Sequence, residues 1–235
     1  MKVVVIGGGG REHALVWSLL KSPAVTEIVC APGNGGIAAV ARTTPVNTND
    51  LAAMIELVER ESPALTIIGP EVPLSLGLVD ELEQRHLRVF GPTKAAAQLE
   101  SSKAFAKAFM QRHGIPTAAH ALCLSLDDVR RELPRFATPV VVKASGLAAG
   151  KGVVICNTHD EAESTAAEIF SGALLGQPER EIVLEEFLTG EEVSFFALCD
   201  GTHAAPIAAA QDHKRVGEGD TGPNTGGMGA YSTDT

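Results

Sequence analysis

The stretch KVVVIGGGG at residues 2–10, followed by REHALVWSLLK at residues 11–21, decides the fold. The run VVVI at residues 3–6 has no polar alternation, which describes a strand buried on both faces, as in a parallel sheet. The glycines end it, and from Glu12 onward the apolar residues recur at helical spacing, so the unit reads strand, turn, helix. The same alternation continues outward. EIVC (27–30), LTIIG (65–69) and RVFG (88–91) read as strands, and residues 12–21, 51–61 and 76–87 as helices. Strands alternating with helices predict an α/β, doubly wound parallel-sheet domain over residues 1–100.

Residues 101–114 predict a helix capped by Ser101 or Ser102, with Phe105, Phe109 and Met110 on one face and Gly114 as its stop. Ile115-Pro116 then begins a linker, so residues 101–120 read as a connection. From there the order changes: LSLDDVRREL (124–133) is helical, PVVVKAS (139–145) and VVICN (153–157) are strands around the glycine loop GLAAGKG (146–152), and HDEAESTAAEIF (159–170) is helical. EIVLEEFL (181–188) and EEVSFFALCD (191–200) are further strands. This predicts a compact α+β unit with antiparallel strands over residues 121–190, and a further portion over 191–235. The final run, QDHKRVGEGDTGPNTGGMGAYSTDT (211–235), is polar and has no apolar period; composition alone predicts a flexible tail.

At 235 residues, 45% hydrophobic and 20% charged, the chain has the composition of a folded protein rather than a disordered one. Its 19 basic residues against 29 acidic ones give a net charge of −10, which argues against nucleic acid as a partner. Small phosphorylated ligands remain compatible, because a few Lys, Arg and backbone N–H groups can hold them. Cys30, Cys123, Cys156 and Cys199 lie singly in apolar runs without zinc-type spacing, and read as small hydrophobes in a reducing compartment. The apolar run after Lys2 is shorter than the about 7–15 residues of a signal-peptide core, and no run approaches the ~18 that span a bilayer. A cytoplasmic location and no membrane partner are expected.

The 24 glycines concentrate in clusters beside charged residues. Gly7 to Gly10 sit between strand and helix, where backbone N–H groups and the helix dipole favour an anion. A dinucleotide fingerprint fails, because its third glycine would fall on Glu12 and the second strand ends without an acid for a ribose. That leaves the phosphate of a smaller ligand, or a tight turn without one. APGNGG (31–36) and GPEVPL (69–74) end two further strands on the same side, aiming Glu71 at the same crevice unless it only caps the following turn. SGLAAGKGVV (145–154) lies between two strands, so it is no Walker loop; carrying Lys151, it fits a flap over a triphosphate. Lys143 ends the valine run and either reaches a phosphate or guards a sheet edge. Glu185 and Glu186 can accept from an adenine or ribose, with a backbone N–H near Leu188 serving the ring, or they form a solvated acidic hairpin.

GGGGREHAL, APGNGG, GPEVPL, LESSKAF, GIPTA, KASGLAAGKGVV, EEFLTGEEVSFF and above all QDHKRVGEGDTGPNTGGMGAY closely resemble the phosphoribosylamine–glycine ligase (glycinamide ribonucleotide synthetase) family of ATP-grasp enzymes. The resemblance covers the whole chain. Ser145, where many members carry Asp, and Thr233, where Pro is usual, are small departures. The resemblance implies a pre-ATP-grasp domain followed by an ATP-grasp lid subdomain and the start of the second ATP-grasp half. It implies ATP held by Lys103 and Lys143 at the phosphates, covered by the loop of Lys151 and Gly152, with Glu185, Glu186 and Leu188 at the adenine and Glu192 at the ribose. Phosphoribosylamine would meet Gly9, Gly10, Arg11 and Glu71, while Asp212, Lys214 and Arg215 would face the reacting groups, glycine being the second substrate. In that family the final run is not a tail. The ligands of Mg²⁺ (or Mn²⁺) are expected beyond Thr235, so the chain reads as an N-terminal portion, inactive alone, and as a monomer or weak homo-oligomer. The competing classes are a non-catalytic nucleotide or phosphosugar binding module and a nicotinamide-dependent oxidoreductase, the latter resting only on the first glycine loop.

Overall fold

A computed structural model describes residues 1–148, 152–219 and 221–232. The chain divides into two compact units, Met1–Phe109 and Met110–Thr235. The first unit runs β1 (Lys2–Gly7), α1 (Gly10–Leu19), β2 (Glu27–Pro32), α2 (Gly35–Ala38), β3 (Arg42–Thr43), α3 (Leu51–Glu61), β4 (Leu65–Ile68), α4 (Glu71–Leu76), α5 (Leu78–Gln84), β5 (Val89–Phe90) and α6 (Lys94–Ser101). Its five strands are all parallel, in the order β3-β2-β1-β4-β5. The expected doubly wound sheet is therefore present.

Alternation along β1 explains the valine run. Val3 and Val5 face Val16, Ile28, Cys30 and Ile37 on one side of the sheet, and Val4 and Ile6 face Met54, Leu57, Val58, Leu78 and Leu82 on the other. From β1 the chain winds outward through β2 and β3, then returns to place β4 on the opposite flank of β1. Strand order reverses between β1 and β4, and crevices outside the carboxyl ends of strands form at such points. Gly7 and Gly69, the residues that end or directly follow these two strands, flank it.

Local chemistry refines the expected helices. Residues 76–87 are not continuous: Gly77, at φ +96°, separates α4 from α5. The short helix α2 is capped by Asn34, whose side chain accepts from the Ile37 N–H at 2.9 Å. Helix α6, unanticipated, is capped by Thr93 ahead of an alanine run that favours helix. The next helix, α7 (Lys103–Arg112), starts after Ser102, whose Oγ accepts from the Phe105 N–H at 3.2 Å, so Ser102 rather than Ser101 is its cap.

Two features of this unit carry measurable consequences. Thr66 on β4 is fully buried opposite Val4 and its hydroxyl has no partner among the described residues. Thr66→Val is expected to stabilise the chain by about 1 kcal/mol, raising the melting temperature by about 2–4 °C, because it removes a desolvated hydroxyl at constant shape; a lower melting temperature would contradict this. At the amino ends of the strands, Glu61 accepts from Arg42 at 3.0 and 2.5 Å and from Lys2 at 3.1 Å. The Arg42 hydrogen bond, with help from Lys2 and against burial, holds the Glu61 carboxyl at about 2. A depressed carboxyl stabilises the fold above its ordinary pKa of 4.5 and loses that contribution as pH falls toward about 2. Acid denaturation of Glu61→Gln is therefore expected to lack part of the destabilisation that the parent shows across that window.

The second unit contains β6 (His120–Cys123), α8 (Leu126–Glu132), β7 (Val140–Ala144), β8 (Val153–Cys156), α9 (His159–Ser171) and β9 (Ile182–Glu186). The strands form a four-stranded antiparallel sheet in the order β6-β9-β7-β8. Val140, Val142, Ala144, Ile182 and Leu184 pack against Val129, Ala162, Ala166 and Ile169, so α8 and α9 cover one face. The alternate residues, among them Val141, Lys143, Val183 and Glu185, belong to the other face.

The strands β10 (Ser194–Cys199), β11 (Ala204–Gly217) and β12 (Thr221–Tyr231) form a second antiparallel sheet in this unit. This corrects, over the described residues 211–219 and 221–232, the flexible tail that composition suggests for residues 211–235. Gln211 pairs with Tyr231, Asp212 with Ala230 and His213 with Gly229, with irregular register near Arg215. Backbone pairing, which a hydrophobicity pattern does not record, organises the segment. The sheet exposes Phe195, Phe196, Ile207 and Met228. No helix among the described residues is long and apolar enough to cross a membrane.

Candidate functional site

The crevice between β1 and β4 is organised by one buried carboxylate. Glu12, 2% exposed in the first turn of α1, accepts from the Gly9 N–H at 2.6 Å through Oε2 and from Arg11 Nε at 3.1 Å through Oε1. Arg11 Nη1 in turn donates to Glu71 Oε1 at 3.1 Å. Glu71 is the first residue of α4, held there by the chain reversal after Gly69-Pro70. Against the opposing effect of burial, the hydrogen bonds to Glu71 and Glu12 raise the Arg11 pKa. Burial likewise opposes the shift of Glu71, whose own backbone N–H and Arg11 hold it below the usual carboxylate range.

Neighbouring loops lock this arrangement. Asn34 Nδ2 donates to the Gly8 carbonyl at 2.9 Å, and the Gly33 N–H donates to Gly7 at 3.1 Å. A Cβ on Gly8 would stand 2.5 Å from the Gly33 oxygen, so the two glycine-rich loops approach as closely as their backbones allow. Around Gly10 the space is open, with nothing within 4 Å of where its Cβ would be. Gly10 and Arg11 open the helix, so their N–H groups find no acceptor within it. The structure thus joins Gly9, Arg11 and Glu71 in one hydrogen-bonded chain and sets Gly10 at its open side. Glu12 is the residue that sequence reasoning missed. Part of the signal was available, because an acid three residues after a helix cap can return to the cap's backbone N–H, the half of a capping box that Glu12 forms with Gly9.

In the second unit, Lys143 and Glu185 lie diagonally across β7 and β9 on the face away from the helices, with Nζ 2.7 Å from Oε2. Glu185 is buried and Lys143 is part-exposed. Glu186 stitches the end of β9 to the residue leading into β6, accepting from the Ala119 N–H at 3.0 Å and donating its own N–H to the Ala119 carbonyl at 2.9 Å. Leu188 is exposed. The Gly152 carbonyl accepts from the Ala144 N–H at 2.8 Å, closing the base of the glycine loop. Lys151 lies outside the described residues, and Lys103 is the first residue of α7.

A third cluster sits on the second sheet of this unit. Lys214 Nζ is 2.5 Å from Glu192 Oε1 and 3.7 Å from Asp212 Oδ2, and the Glu192 hydrogen bond raises its pKa. His213 stacks on Tyr231 with ring centres 6.0 Å apart. Arg215 pairs through its backbone with position 224. Among the described residues no group of three or more His, Cys, Asp or Glu is placed to hold a metal ion.

Comparison with known families accounts for the whole chain. Residues 1–100 match the phosphoribosylglycinamide synthetase N domain, and residues 101–235 match the phosphoribosylglycinamide synthetase ATP-grasp (A) domain. The chain belongs to the phosphoribosylglycinamide synthetase family. The chain is 54% identical over 234 residues to the phosphoribosylamine–glycine ligase of Xanthomonas campestris pv. campestris, a match covering 99% of the chain and 54% of the relative. It resembles the crystal structure of phosphoribosylamine–glycine ligase from Thermotoga maritima at 34% identity and a TM-score of 0.83, covering 98% of the chain and 55% of that structure. The chain therefore spans about half the length of these relatives. The biotin carboxylase domain of Hydrogenobacter thermophilus 2-oxoglutarate carboxylase, solved with MgADP and bicarbonate, shares the fold at 18% identity and a TM-score of 0.71, covering 91% of the chain and 50% of that structure.

Proposed function

We propose that this chain supplies the phosphoribosylamine-binding and ATP-binding portions of a cytoplasmic phosphoribosylamine–glycine ligase acting in purine biosynthesis. The observation that carries the reading is the uninterrupted match of both family domains, together with 54% identity to a relative of that name across 234 residues. The crevice chemistry supports it. A phosphate would be met by the Arg11 guanidinium and by the N–H groups of Gly10 and Arg11, while Glu71 accepts from a ribose hydroxyl or the amine. The trio of Glu12, Arg11 and Glu71 carries two negative charges against one positive, which suits a ligand offering both an anion and donors better than phosphate alone.

In the reaction proposed, an oxygen of the glycine carboxylate attacks the γ-phosphorus of ATP, forming glycyl phosphate and releasing ADP. The amine of phosphoribosylamine then attacks the acyl carbon, loses a proton and expels phosphate, leaving glycinamide ribonucleotide. Two anions must approach one another in the first step, so cations have to neutralise charge as the phosphoryl group moves. Lys103 and Lys143 take this role at the ATP phosphates, and Lys214 and Arg215, with Asp212 orienting Lys214, take it at the reacting groups. Glu185, Glu186 and Leu188 hold the adenine, Glu192 the ribose, and the loop of Lys151 and Gly152 excludes water from the acyl phosphate. Among the described residues the carboxylates do not assemble a site for Mg²⁺ or Mn²⁺.

Joining residues 1–235 to the remaining C-terminal part of the Xanthomonas relative and expressing the chimera in a purine auxotroph lacking this ligase tests the reading. Growth without purines is expected. Continued auxotrophy with a soluble, folded chimera would overturn it in favour of a binding module without catalysis.

A further inference from the structure

The position of Glu12 exceeds what a helix cap requires. A cap needs one oxygen on the Gly9 N–H; here the second oxygen engages Arg11 Nε at 3.1 Å, and the whole carboxylate is buried between the ends of β1 and β4. Both strand ends are shaped for it. A Cβ on Gly7, at φ +128°, would lie 2.6 Å from the Glu12 side chain, and one on Gly69 would lie 2.0 Å from Oε1. Burying a carboxylate is costly unless it is paired and hydrogen-bonded, and the partner it takes is the Arg11 guanidinium. Holding Nε leaves the Nη edge of the guanidinium turned away from Glu12, where Nη1 now meets Glu71. With Nε engaged, that edge is the one left free to grip a phosphate with two parallel hydrogen bonds.

We infer that Glu12 is a positioning residue: it anchors Arg11 through Nε so that the Nη edge is presented to the phosphate of the ligand, with Glu71 holding that edge until the ligand arrives. The inference rests on the phosphoribosyl reading of the crevice and assigns its geometry to a residue that touches no ligand. Glu12 would act only through Arg11, so its effect must vanish when Arg11 is gone.

The test is a double-mutant cycle on the 235-residue chain, using ribose 5-phosphate as probe and calorimetry as readout. Glu12→Gln keeps an acceptor for the Gly9 N–H, and a thermal melt checks that the variant stays folded. Glu12→Gln and Arg11→Ala are each expected to weaken ribose 5-phosphate binding about tenfold or more, and the double variant to bind no worse than Arg11→Ala alone. Parent-like affinity of Glu12→Gln, or effects that multiply in the double variant, would overturn the inference. A second arm needs no ligand: the Arg11 Nε–H resonance is expected to be slowly exchanging in the parent and lost to exchange in Glu12→Gln. A resonance unaffected by Glu12→Gln overturns the anchor itself. Absence of ribose 5-phosphate binding by the parent, with the resonance still dependent on Glu12, overturns instead the phosphoribosyl reading and the ligand assigned to the anchored edge.

Discussion

Replacing Lys143 by alanine is expected to lower ADP formation by the chimeric ligase at least about 100-fold and to destabilise the chain by about 2–4 kcal/mol. Both effects follow from its place on β7. Its ammonium is 2.7 Å from Glu185, whose carboxylate is buried against the sheet, so removing the lysine takes one close cation from a desolvated charge. The same ammonium is the cation proposed to meet the ATP phosphates from that face. The two consequences separate in the double variant Lys143→Ala/Glu185→Gln, in which the buried charge is gone, read against Glu185→Gln alone because Glu185 is itself placed at the adenine. Denaturant midpoints are expected to recover there while ADP formation stays low. Recovery of both, or activity retained in Lys143→Ala, would mean that the lysine serves the sheet and not the nucleotide.

Lys214→Ala is expected to behave differently. Lys214 is 44% exposed on β11, bonded to Glu192 and near Asp212, so its loss leaves no buried charge and should change the denaturant midpoint little. In the chimera kcat is expected to fall about 10²–10³-fold, the size typical of removing one group that stabilises developing charge, while KM for phosphoribosylamine changes little. Its raised pKa keeps Lys214 charged throughout the neutral range, so it contributes no limb to the pH–rate profile near pH 7. A variant with unchanged kcat would remove Lys214 from the reacting centre.

Much of the fold was legible in the sequence because it is written in local patterns. The run at residues 3–6 specifies burial on both faces, and Val3, Val5 and Val4, Ile6 indeed divide between two cores. Where residues 76–87 offered an unbroken apolar period, the left-handed Gly77 cut it in two; a lone glycine in such a pattern signals a possible stop without deciding it. Residues 211–231 were illegible from composition because the hairpin is organised by backbone pairing and not by an apolar stripe. The site divides in the same way. The first glycine loop and Glu71 could be placed in one crevice because both follow strand ends of a parallel sheet, and the family resemblance added Arg11. The hold of Glu12 on that crevice depends on Gly69, fifty-seven positions away, and the pairing of Lys143 with Glu185 depends on the register of β7 against β9. Contacts of that kind are set by topology, and residue type alone does not announce them.

The central claim, ligation through an acyl phosphate, is tested most directly with glycine carrying ¹⁸O in both carboxylate oxygens. The chimera is incubated with this glycine, ATP and phosphoribosylamine, and the released phosphate is analysed by mass spectrometry. Attack of the carboxylate on the γ-phosphorus, followed by attack of the amine on the acyl carbon, delivers one ¹⁸O to each phosphate formed with glycinamide ribonucleotide. Product formation with one labelled oxygen per phosphate is the expected result; phosphate without the label would contradict the account.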